Sequence, residues 1–111
     1  MRKINLAITG CMGRMGKQLI KSAKSDKSFK IVSLTENKII NKKISGIKPS
    51  LNTEQTFKKA NLIIDFTVPK CTFEVLKIAA KLKKRVVIGT TGFSKKDENL
   101  IKKYSKKNTN S

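Results

Sequence analysis

The chain has 111 residues, room for one small domain around one core. Its 26 basic and 7 acidic residues give a net charge of +19, but the cations are spread throughout and accompanied only by five Phe and one Tyr, which favours a solvated lysine-rich surface over a specific nucleic-acid site. There is no histidine, Cys11 and Cys71 lie far apart, and no apolar run approaches the roughly 18–20 residues of a membrane span, so the usual zinc spacings, a disulfide framework and a spanning helix are all disfavoured.

Met1 to Ile8 starts basic and turns apolar, as a secretory leader does. Asn5 interrupts the apolar part and a glycine turn ends it, so Ile4 to Thr9 reads as a first strand ending at Gly10, in a chain expected to be cytoplasmic. From Gly13 to about Lys24, Met15, Leu19, Ile20 and Ala23 recur at helical spacing with lysines opposite. Phe29 to Leu34 reads as a second strand, and residues 37–50, with Gly46 and Pro49, as a loop. Asn52, with Gln55 three positions on, caps a short helix over residues 53–59. Leu62 to Phe66 is a buried strand, and Pro69 opens a helix to about Lys83 with Val75, Leu76, Ala79 and Ala80 on one stripe. Arg85 to Gly89 is a further strand. Ser94 and Asp97 resemble a capping box for a last helix with Leu100, Ile101 and Tyr104 on its inner face, before a polar tail. Strand–helix–strand alternation through short turns predicts an open α/β sheet of parallel strands with helices on both faces. The continuous apolar runs Leu62–Phe66 and Val86–Gly89 suit strands covered on both sides.

Such sheets bind ligands at the carboxyl ends of their strands, where three segments carry chemistry. Gly10-Cys11-Met12-Gly13-Arg14-Met15-Gly16 follows the first strand and opens the first helix; glycines there let backbone N–H groups and the positive helix end approach a pyrophosphate. Its G-x-x-G-x-x-G spacing is not the commoner G-x-G-x-x-G, and glycines also serve plain turns. Cys11 is either a thiol activated by the helix end and Arg14 or, the favoured reading, a small residue in a tight loop. Glu36, 20 positions after Gly16, suits the adenine-ribose hydroxyls of NAD; Arg14 and Lys38 lie near enough in sequence to meet a 2′-phosphate, which keeps NADP open. Asp65-Phe66-Thr67-Val68-Pro69 and Gly89-Thr90-Thr91-Gly92-Phe93 each lead from a strand into a helix. The threonines are either donors beside a nicotinamide or ordinary turn residues, and Asp65 is read as bonding the backbone N–H groups of the turn after it rather than as catalytic.

Taken together, G-x-x-G-R-M-G from Gly10 to Gly16, Ile64-Asp65-Phe66-Thr67-x-Pro69, and Val87-Ile88-Gly89-Thr90-Thr91-Gly92-Phe93 resemble the dihydrodipicolinate reductase family, in its order and across nearly the whole chain. The resemblance implies a Rossmann-like open parallel sheet, here truncated. It implies binding of NADH or NADPH and, in the whole enzyme, hydride transfer that reduces 4-hydroxy-tetrahydrodipicolinate to tetrahydrodipicolinate in the lysine and diaminopimelate pathway. On that basis Gly10, Cys11, Met12, Gly13, Arg14 and Met15 correspond to the pyrophosphate loop and Glu36 to the ribose-binding acid. Phe66 and Thr67 join the cofactor site, and Gly89, Thr90 and Thr91 the nicotinamide-side loop, with Thr91 also approaching substrate. Many members carry an arginine after the acid; Asn37 stands there here, followed by Lys38, which leans the expectation towards NADH or dual use. The family continues with a further strand, an asparagine-bearing loop, and a mixed domain with a histidine pair and a lysine that builds a homotetramer. Residues 1–106 are therefore expected to form a dinucleotide-binding domain and 107–111 a polar tail, with the substrate and catalytic domain absent. No catalytic or metal-binding residue is assigned, a small dicarboxylate substrate and the tetramer belong to a full-length enzyme, and the chain alone is expected to be inactive. A non-catalytic dinucleotide-binding module is the alternative, and a basic nucleic-acid-binding protein is less favoured.

Overall fold

The computed structural model describes residues 3–10, 12–89, 94–96, 98–100 and 102. Expectations on Cys11, Thr90, Thr91, Gly92, Phe93, Asp97, Ile101, Tyr104 and the polar tail fall outside the described residues. In chain order the elements are β1 (Ile4–Thr9), α1 (Arg14–Ser25), β2 (Phe29–Thr35), α2 (Glu54–Lys58), β3 (Leu62–Asp65), α3 (Pro69–Leu82) and β4 (Arg85–Ile88). The strands form one parallel sheet in the order β2-β1-β3-β4. The chain leaves β1 in one direction to make β2, then crosses to the other side for β3 and β4. That reversal puts a topological switch point between β1 and β3.

Crossovers of one hand running in opposite directions place their helices on opposite faces, and the core divides accordingly. Ala7 of β1 and Ile63 of β3 pack with Phe57, Ala60, Val75 and Ala79 under α2 and α3. Ile8, the next residue of β1, points the other way and packs with Ile20 and Leu34 under α1. The β1–β2 register shifts between Leu6 and Ala7, which inserts Val32 as an extra residue; Ile31 and Leu34 consequently share α1's face.

The expected layout holds, with local differences. Met15, expected on α1's buried stripe, is 49% exposed, and Gly16 is buried with Ile20 and Ala23 instead. The helix meets the sheet at the residue without a side chain, which moves the contact stripe by one position. Thr53, not Asn52, caps α2, its side chain accepting the Thr56 N–H at 3.2 Å. Residues 37–50 are largely irregular. Within them Ile44 and Ile47 pair across Ser45 and Gly46, both at positive φ, and pack on α1's face of the core. Ser50 then returns beside β2, donating to Leu34 O and accepting from Glu36 N. Pro69 starts α3 as expected, and Lys83 ends it in the left-handed conformation. Lys95, Lys96, Glu98, Asn99, Leu100 and Lys102 are helical, but Leu100, expected on an inner face, is 38% exposed. No strand beyond β4 is present among the described residues to receive it.

Burial on both sides is not borne out for β4, where Val87 is 52% exposed. It pairs with β3 alone among the described strands, and α3 covers one of its faces. Beside it, on the α1 side, Leu6, Ile8, Leu19, Leu62 and Ile64 line an apolar trough of about 250 Å³.

Candidate functional site

The carboxyl ends of β1 and β3 meet at the switch point, and their geometry rests on close backbone approach. Gly10 leaves β1 at φ +70, and a Cβ there would lie 2.3 Å from the Phe66 carbonyl oxygen. Conformation and contact thus both demand glycine. Gly13 follows as the N-cap of α1, its N–H donating to Gly10 O at 3.0 Å. No side chain hydrogen-bonds the cap of α1 and its first turn holds no acid, so α1 itself supplies nothing to offset the positive end of its dipole.

Glu36 follows β2 and leans over this loop. Its Oε2 accepts the Met12 N–H at 2.8 Å and its Oε1 the Asn37 N–H at 3.1 Å. Between Glu36 and the opposite wall lies a recess of about 240 Å³, bounded by Gly10, Gly13, Asn37, Phe66, Thr67, Val68 and Cys71. A second recess of about 510 Å³ shares Glu36, Asn37, Val68 and Cys71 and extends to Leu51, Asn52, Lys70 and Glu74. Together they form a trough across the top of β1 from the glycine turn to the first turn of α3. Its floor is backbone, and one wall carries an acceptor already fixed by main-chain donors.

Gly10, Gly13, Glu36, Phe66 and Thr67, five of the residues singled out from the sequence, meet here, and the Met12 amide is tied to Glu36. Arg14 and Met15 begin α1 with exposed side chains and line neither recess, because the face they occupy turns away from the sheet. Gly89 closes β4 beside Phe66: its N–H donates to Asp65 O at 2.8 Å, and a Cβ on it would fall 1.8 Å from the Phe66 ring. Cys11, Thr90 and Thr91 lie outside the described residues.

Asp65 is fully buried. Its described partners include three hydroxyls: Thr9 and Thr67 donate to Oδ1, the latter at 2.9 Å, and Thr72 donates to Oδ2. Sequence reasoning missed Lys70, Cys71 and Glu74 on the recess walls. The signal was available, because Pro69 fixes where α3 starts and hence which residues its first turns hold beside the end of β3. Leu51 and Asn52 arrive from an aperiodic loop and gave none. Burial, then the carboxylates of Glu74, Asp65 and Glu36, push the Cys71 thiol above its ordinary pKa, against a smaller opposite pull from Lys70. Among the described residues, no three His, Cys, Asp or Glu side chains are grouped to hold a metal ion.

The family model for the N-terminus of dihydrodipicolinate reductase matches residues 4–110. The 4-hydroxy-tetrahydrodipicolinate reductase of Pelagibacter ubique (strain HTCC1062) is 72% identical over 106 residues, which cover 96% of this chain and 41% of that protein. The reductase of the same name from Buchnera aphidicola subsp. Acyrthosiphon pisum (strain Tuc7) is 41% identical over 117 residues, 96% of this chain and 44% of that one. Among solved structures, the dipicolinate-bound dihydrodipicolinate reductase from Paenisporosarcina sp. TG-14 has the same fold, with a TM-score of 0.78 at 24% identity, covering 96% of this chain and 44% of that chain. The chain thus spans about two fifths of the length of the curated relatives it matches.

Proposed function

Because the chain belongs to the dihydrodipicolinate reductase N-terminus family, we propose that residues 1–106 form the dinucleotide-binding part of a 4-hydroxy-tetrahydrodipicolinate reductase acting in the cytoplasm. The observation that carries this reading is the Glu36 carboxylate held by the Met12 amide across a recess whose floor is Gly10. A carboxylate acceptor and an uncapped helix end on either side of an open recess are what a dinucleotide needs: one for a ribose diol, one for a diphosphate, and space between them. The residues present therefore fit the cofactor. In this assignment Gly10 to Met15 hold the pyrophosphate through backbone amides and the helix end, and Glu36 takes the adenosine ribose. Phe66, Thr67, Gly89, Thr90 and Thr91 border the nicotinamide, and Thr91 also faces the substrate. The bound nicotinamide supplies a hydride.

NADH is the preferred cofactor in this reading. With Oε2 and Oε1 both held by backbone donors, Glu36 is not free to swing away from a 2′-phosphate. Asn37 beside it brings no compensating charge. Like charges about 4 Å apart repel by about 4 kcal/mol per unit charge at an effective dielectric constant of ~20, and surrounding lysines offset only part of that.

Reduction of the dicarboxylate substrate and assembly into a homotetramer are assigned to a protein of the relatives' full length. The lysine-rich surface is assigned no specific nucleic acid. Among the described residues no helix is long and apolar enough to cross a membrane. The deciding experiment is titration of the 111-residue chain with NADH, followed by nicotinamide fluorescence. Saturable binding that Gly13→Val abolishes, without turnover of substrate, is the expected result. Binding unaffected by Gly13→Val would remove the glycine turn from the site.

A further inference from the structure

We propose that Asp65 is a positioning residue that sets the width of the recess by holding both of its walls on one buried carboxylate. This rests on the dinucleotide reading for its consequence, though not for its geometry. Asp65 lines neither recess and is fully buried, so any action on a ligand is exerted through other residues.

Those residues are specific. Thr9, which donates to Oδ1, is the last residue of β1 and is followed directly by Gly10, the floor of the recess. Thr67, which donates to the same oxygen, belongs to the opposite wall itself. Thr72, which donates to Oδ2, is buried in α3 directly after Cys71, a residue of both recesses. One side chain thereby ties the floor to the far wall and to the helix behind it. The Gly10–Phe66 approach sets the closest distance the two can reach, and the hydroxyls oppose separation. A carboxylate suits this place because it offers only acceptors, several at once, to donors arriving from different elements.

The chemistry also predicts which replacement is tolerated. Asn keeps an oxygen for Thr9 and Thr67, and the Thr72 hydroxyl can rotate to accept from the new amide nitrogen. Thr9→Val and Thr72→Val preserve shape but each delete one tie. The test compares these variants with Val75→Ala, a cavity-forming change in the α2–α3 core that lines neither recess. Each is measured for NADH affinity, melting temperature, and the rate at which Cys71 is alkylated, read by peptide mapping to separate it from Cys11. Loss of one hydrogen bond to a carboxylate corresponds to roughly 10- to 100-fold, so Thr9→Val and Thr72→Val are expected to weaken NADH and speed Cys71 alkylation by up to about that factor. Asp65→Asn should stay within ~2-fold of the unsubstituted chain in NADH affinity, given its retained acceptors. It should speed Cys71 alkylation only through the lower thiol pKa that follows loss of the Asp65 charge, so that the two rates converge at high pH. Val75→Ala should lower the melting temperature at least as much while leaving affinity and alkylation unchanged.

Equal NADH affinity and equal Cys71 reactivity in folded Thr9→Val and Thr72→Val would overturn the proposal, as would equal damage from Val75→Ala. If the unsubstituted chain fails to bind NADH while the threonine variants still expose Cys71, the dinucleotide reading falls and the positioning role stands.

Discussion

The two faces of the sheet are built from the same strands and are held very differently. Under α2 and α3, Ala7, Phe57, Ala60, Ile63, Val75 and Ala79 are all completely buried. Across the sheet, Ile64 and Leu62 are only half-buried, Val87 is exposed, and α1 reaches only the β1–β2 half. Hydrophobicity along β3 is uniform, yet Ile63 and Ile64 have different fates because one has a helix above it and the other borders a trough. Burial is a property of what lies over a strand. The closely packed face therefore carries most of the stability, and the candidate site is supported from that side through α3.

The largest effect that could break this comparison is a cavity on the packed face. Phe57→Ala is expected to cost ~3–5 kcal/mol, whereas Ile64→Ala, beside an existing trough, should fall at or below the ~2 kcal/mol lower end for such truncations. Urea unfolding of the two variants decides it, and equal midpoints would mean the faces are equivalent. Glycines sharpen the contrast at the site. Gly10→Ala combines a positive φ with a backbone clash and should cost ~2–4 kcal/mol together with NADH binding, while Gly46→Ala, at positive φ in open space, should cost only ~1 kcal/mol and spare binding. A smaller effect falls on cofactor choice: Glu36→Gln should move the NADPH-to-NADH affinity ratio ~10-fold towards NADPH, since one repulsive charge is removed. An unchanged ratio would take Glu36 away from the ribose.

Much of this was legible in the sequence because it is local. The glycine turn announces itself, since a strand entering a helix through a positive-φ corner needs glycine at Gly10. Glu36 is readable because it ends the strand next to that corner. Element ends were less legible: the second strand continues one residue past Leu34 and the third stops one short of Phe66, since ladder bonds and not hydrophobicity end a strand. Met15 was misplaced because the pattern counts side chains, whereas α1 touches the sheet through Gly16. The return of Ser50 to β2 and the wall formed by Leu51 and Asn52 depend on pairing across an aperiodic loop. The Asp65 cluster was least legible. Each of Thr9, Thr67 and Thr72 alone is an ordinary residue at the end or start of an element, and only the β1–β3 register and the first turns of α3 bring them to one carboxylate.

Cys71 offers the mildest test, because it reports on the recess without altering it. Only the thiolate reacts with an alkylating reagent, and the folded thiol's pKa is raised by burial and by Glu74, Asp65 and Glu36. Near neutral pH the thiolate fraction is therefore smaller than for an ordinary cysteine. Alkylation should be slower than in the urea-unfolded chain and should rise about tenfold per pH unit, continuing beyond the point where an ordinary thiol levels off. Bound NADH should slow it further, since Cys71 borders both recesses and the diphosphate adds negative charge nearby. A folded-state rate matching the unfolded chain at every pH would mean that the recess is open to solvent at α3. Since the packed face holds α3 in place, that result would also undo the contrast between the faces at the point where it bears on the site.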